Sequence, residues 1–180
     1  MSRYATLVVL TCIMLVVTDT AQAQFGPSGT TTLSVNVGAE AALRIDTGTT
    51  SLTTPDTAFG TDYTGTTNYT YKIRTTKTGG TGTIQLKVSA DFNAGGPSVA
   101  SPPSAGDTLQ YTCTVTAPGT GCTGAQTAST STPTAVATFG ADAKSAKAGN
   151  TGSVGWTLTN DPAYSTGTYT ATVLFTISAT

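Results

Sequence analysis

Gly167 to Thr180 read GTYTATVLFTISAT, with Tyr169, Ala171, Val173, Phe175 and Ile177 on one parity. Thr168, Thr170, Thr172, Thr176 and Ser178 occupy the other, and only Leu174 breaks it. Period-two alternation of this length predicts a strand with one face on a core and one in water. The pattern recurs upstream. Leu33, Val35 and Val37 alternate with Ser34 and Asn36, and a short run follows through Leu43 and Ile45. Tyr69, Tyr71 and Ile73 alternate with Thr70, Lys72 and Arg74; after Gly79-Gly80-Thr81-Gly82 come Ile84, Leu86 and Val88, and the two runs read as a hairpin. Further strands are expected at Leu109 to Val115, Ala135 to Phe139 and Val154 to Leu158, the last with Trp156 as a core anchor. Asp142 to Lys147 offers the one helical turn. Seven to nine strands separated by Gly, Pro and Thr clusters predict an all-β antiparallel sandwich.

The first 23 residues fall outside this pattern. Arg3, an apolar run from Tyr4 to Val17 and Ala21-Gln22-Ala23 make a secretory signal peptide, with cleavage expected after Ala23. The run is too short to span a bilayer of about 20 residues, and Cys12 lies too early in it for lipidation. Residues 24–180 are then a single domain, exported to the exterior or the cell surface by way of the periplasm in a Gram-negative host. Cys113 and Cys122, the pair left after processing, are expected to form a disulfide.

Charge narrows the function classes. Charged residues make up 9% of the chain and balance to −1, which argues against nucleic acid or anionic lipid as a partner, since both call for a basic patch. With no His in the chain, Ser-His-Asp and Cys-His catalysis are excluded and the usual zinc and copper sets are missing. No catalytic residue, cofactor or metal is expected. Few charges and many neutral hydroxyls suit a protein that packs against copies of itself or works outside the cell. Asp46-Thr47-Gly48 stands apart, because LRIDTGTTSL resembles the active-site turn of aspartic proteases. That chemistry needs a second carboxylate, hence a dimer. The favoured reading is an exposed turn, built from residues that turns prefer. A sugar-binding module is the other alternative, and its aromatic platform would draw on Tyr63, Phe92 and Tyr164.

Taken in order, the signal peptide, the early TTTLSVNV, the AALRIDTG segment leading to Phe59 and Tyr63, the middle strand pair and the closing GTYTATVLFTI resemble spore coat U-type secreted domains. More distantly the chain is similar to pilins of the chaperone–usher pathway. The resemblance implies an immunoglobulin-like sandwich lacking its final strand, with a hydrophobic groove bordered by the closing strand. It also implies a fibre or coat subunit whose groove accepts a neighbour's N-terminal strand. The donor here would be Thr30 to Val37, seating Leu33, Val35 and Val37 in successive pockets. The competing expectation is that this segment pairs within its own sandwich.

Overall fold

A computed structural model describes residues 28–55 and 57–180; the signal peptide expected at 1–23 lies outside the described residues. The chain divides into two units, Met1–Val35 and Asn36–Thr180. In the first, residues 28–35 carry no strand, and Leu33 and Val35 are 91% and 84% exposed. The strand expected over 33–37 does not form there: Val37, in the second unit, is also outside any strand and 58% exposed.

The second unit is all-β, with no helix among the described residues. Its strands are β1 (Glu40–Ile45), β2 (Tyr63–Arg74), β3 (Gly82–Ala90), β4 (Leu109–Val115), β5 (Thr120–Gly121), β6 (Gln126–Thr127), β7 (Thr134–Phe139), β8 (Asn150–Leu158) and β9 (Thr172–Ala179). They form two antiparallel sheets, ordered β1-β2-β8-β4-β6 and β5-β7-β3-β9. The alternating apolar residues of both sheets meet in one core. Tyr69, Tyr71, Ile84, Leu86, Val136 and Val154 are all completely buried. Tyr71 leans on Phe139 at 5.1 Å between ring centres, and Tyr111 on Trp156 at 5.6 Å, spacings at which tilted aromatic pairs attract.

The hairpin expected between residues 69–74 and 84–90 is not formed. β2 pairs with β1 and β8, whereas β3 pairs with β7 and β9, so residues 75–81 cross from one sheet to the other. Both strands carry a strongly apolar face. Laid side by side they would leave those faces uncovered; in opposite layers each covers the other. The glycines serve this crossing. Gly79 takes φ of +71°, and a Cβ at Gly82 would stand 2.6 Å from Ile73 Cδ1.

The helical turn expected at 142–147 is also absent. Thr75 N–H donates to the Ala143 carbonyl at 3.0 Å, Ser145 N–H to the Ile73 carbonyl at 3.0 Å, and Ile73 N–H to Ser145 Oγ at 2.9 Å. Beyond the start of β8 the end of β2 has open backbone groups, and residues 143–145 satisfy them instead of closing a turn of their own. Cys113 and Cys122 are bonded, joining β4 of one sheet to the residue after β5 of the other. A loop this short limits the stabilisation to about 2–3 kcal/mol in the chain-entropy model.

Candidate functional site

The two long sides of the body are unlike. On one, β4 and β6 face β5 and β7, and the disulfide ties the layers together. On the other, β1 ends the first sheet and β9 ends the second, and no ladder joins them. β9 keeps the predicted parity, yet Val173, Phe175, Ile177 and Ala179 are only half-buried. The equivalent residues of β3, between two neighbours, are almost wholly buried. On β1, Ala41 and Leu43 are likewise half-buried, and Ile45 is 37% exposed. The half-buried Phe175 ring rests on buried Tyr69 at 6.2 Å, tilted by 41°. Among the described residues β9 is thus left with a half-open apolar face and a backbone edge that pairs with no further strand. Such an edge is a template for a further strand.

The inward parity of β9 was legible from its alternation, whereas a groove beside it was implied by the family resemblance alone. On β1, Ala41, Leu43 and Ile45 carry the same period-two signal. The closing strand is also shorter than its pattern. Tyr169 lies before β9, with its hydroxyl oxygen 3.0 and 2.8 Å from the carbonyls of Gly95 and Ser165. It ties loops together.

Asp46 sits just past β1, at a bend held against β2. Its carboxylate accepts hydrogen bonds at 2.6 Å from Arg44 Nε and from Thr70 Oγ1. Asp46 N–H and Thr47 N–H both donate to the Asn68 carbonyl, and Asn68 N–H donates to Thr47 Oγ1 at 3.0 Å. The Thr70 hydroxyl, then Arg44, hold the Asp46 carboxyl below the ordinary carboxylate range. One carboxylate oxygen thus holds Arg44 of β1 and the other reaches Thr70 of β2.

The aromatics considered for a sugar platform are half-buried. Tyr63 and Phe92 pack against the core, and Tyr164 donates its hydroxyl to the buried carboxylate of Asp107. Burial first, and then Asp107, push the Tyr164 phenol well above its usual value. Phe92 does line a shallow cleft of about 510 Å³ with Pro97, Pro103, Ala163 and Ser165. Among the described residues no three of His, Cys, Asp and Glu come together in a way that could hold a metal ion, and no helix is long and apolar enough to cross a membrane.

That cleft is shaped by Asp91, at the end of β3. Its carboxylate accepts from the N–H groups of Phe92 and Val99 at 2.8 Å and Ala100 at 3.0 Å, and from Ser98 Oγ at 2.8 Å. Partial burial raises its proton affinity, but the four donors outweigh it and the carboxyl titrates below its ordinary value. The native carboxylate therefore holds a proton less tightly than the unfolded one. Its contribution to stability is complete above the ordinary value of 3.8 and is lost as pH falls through the folded value. Urea midpoints measured from about pH 5 to about pH 2 should fall, and fall less steeply in Asp91→Asn. An acid slope unchanged by that substitution would show that the loop does not depend on the charge.

Comparison of the chain with protein-family models, curated proteins and solved structures finds no match.

Proposed function

We propose that this chain is an exported structural subunit, not an enzyme, of an extracellular fibre or surface coat. Its two sheets are read as an immunoglobulin-like sandwich short of one strand, and Thr30 to Val37 of a neighbouring copy adds along the free edge of β9. The observation that carries this reading is that the chain holds both an unsatisfied apolar edge and an exposed apolar segment. The edge is β9 with its half-open Val173, Phe175 and Ile177; the segment holds Leu33, Val35 and Val37, the three most exposed large aliphatic side chains among the described residues. Strand addition would bury both, with backbone hydrogen bonds giving affinity and alternate side chains giving register.

Export is supported by the signal-peptide pattern and by the disulfide, which fits an oxidising compartment. Electron microscopy of residues 24–180, beside a chain lacking residues 24–37, tests the proposal. Filaments from the longer chain and none from the shorter are expected. Filaments from both, or folded monomers from both, count against strand donation.

A further inference from the structure

Charge in this chain is sparse but sorted. Of the seven Lys and Arg among the described residues, five (Lys72, Arg74, Lys77, Lys144 and Lys147) gather where β1 begins, β2 ends and β8 begins. Glu40 and Asp142 are the acids there, leaving five positive against two negative charges, a net of +3. At the opposite end β2 begins, β8 ends and β3 ends, and there lie Asp62, Asp91, Asp107 and Asp161 with no cation among them; Asp107 is buried and Asp91 is enclosed by four donors, so Asp62 and Asp161 carry the accessible charge of −2. Arg44 and Asp46 cancel midway, and Lys87 stands on β3 between the ends.

The basic end is concave. Lys72, Arg74, Lys144 and Lys147 line a cleft of about 410 Å³ with Glu40. Arg74 and Lys144 stand directly opposite each other as bridge partners, an arrangement that repels. It is relieved by Glu40 at 3.1 Å from Arg74 and Asp142 at 2.7 Å from Lys144. Lys72 and Lys147 have no acidic partner among the described residues, and both are exposed. β2 is 12 residues long, so at about 3.3 Å per residue the two ends lie roughly 36 Å apart, several Debye lengths at physiological salt. Neither end can satisfy the other within one copy.

We infer that the basic cleft of one copy receives the acidic end of the next, a polar contact that orders subunits head to tail; the inference rests on the fibre reading above. A free anion would satisfy one end only, whereas a second copy satisfies both, and a contact between different surfaces of identical chains repeats from copy to copy, giving an open filament where the rotation closes no ring. Chain direction agrees. The backbone enters β1 at the basic end, where Arg74 Nε donates to the Gly38 carbonyl at 2.7 Å. A segment donated from there into the acidic end of a neighbour runs antiparallel to β9, the direction that extends an antiparallel sheet.

The test uses residues 24–180 in three forms: K72E/K144E/K147E, D62K/D161K, and both sets combined, with circular dichroism to confirm folding. Seeded elongation should slow about tenfold in each single-ended form, the low end of electrostatic steering effects, and recover in the combined form. Wild-type elongation should also slow between about 0.01 and about 1 M salt, as the Debye length falls from about 30 to about 3 Å. Filaments that grow equally fast in every form and at every salt concentration overturn the polar contact and leave strand donation standing. If no form makes filaments, sedimentation at low salt decides: pairs lost in each single-ended form and regained in the combined one keep the contact while the fibre reading falls. Monomers throughout overturn both.

Discussion

Replacing Leu33 and Val35 with aspartate is expected to abolish filament formation while leaving the two-sheet body folded. Each aliphatic side chain gains about 1.5–3 kcal/mol on full burial, so losing both removes about 3–6 kcal/mol, roughly 10²- to 10⁴-fold in affinity. Burying a carboxylate in the same pocket adds a desolvation cost. Within their own copy these side chains are 91% and 84% exposed, so little burial can be lost there. The unfolding free energy should therefore stay within about 0.5 kcal/mol. Electron microscopy and urea unfolding of L33D/V35D read the two halves of this expectation. Intact filaments would remove these residues from the interface, and a large fall in the urea midpoint would mean that they pack in cis.

The largest stability effect is expected from Trp156→Ala. Trp156 is 5% exposed in β8 and packs against Tyr111. Its indole Nε1 donates to Thr67 Oγ1 at 2.8 Å, and the Thr67 hydroxyl oxygen lies 2.6 Å from that of Thr50. Because Thr67 accepts from the indole, its own proton is free for Thr50. The bonds form a chain from the core to the segment after β1. Truncation to alanine opens a cavity costing about 3–5 kcal/mol. Trp156→Phe keeps most of the volume and removes the donor from buried Thr67, for about 1–3 kcal/mol. Circular dichroism must follow the unfolding, because Trp156 is the single tryptophan. A loss below about 1 kcal/mol for the alanine variant would contradict the packing described here.

Much of the fold was legible because alternation reports directly which face of a strand meets apolar surroundings. Tyr69, Tyr71 and Ile73 in β2 and Ile84, Leu86 and Val88 in β3 are buried as their parity indicates. The cysteine pair was readable from its count. Asp46-Thr47-Gly48 carried no comparable signal, since the same three residues suit a turn or an active site, and the contacts with Asn68 and Thr70 that hold the segment against β2 are tertiary.

What alternation leaves open is the partner. Period two says that a side chain points inward, without saying which strand lies beside it or which layer covers it. The assignment of β2 and β3 to opposite sheets was settled by tertiary packing, because two strongly apolar faces bury most area when they oppose each other. The half-open state of β9 has the same origin. Its sequence is as apolar as that of a central strand, and its exposure follows from having a neighbour on only one side. The amino-acid order by itself determined an all-β chain with known inward positions. The three-dimensional arrangement decided where the sheets end, and so where an apolar edge remains without a partner.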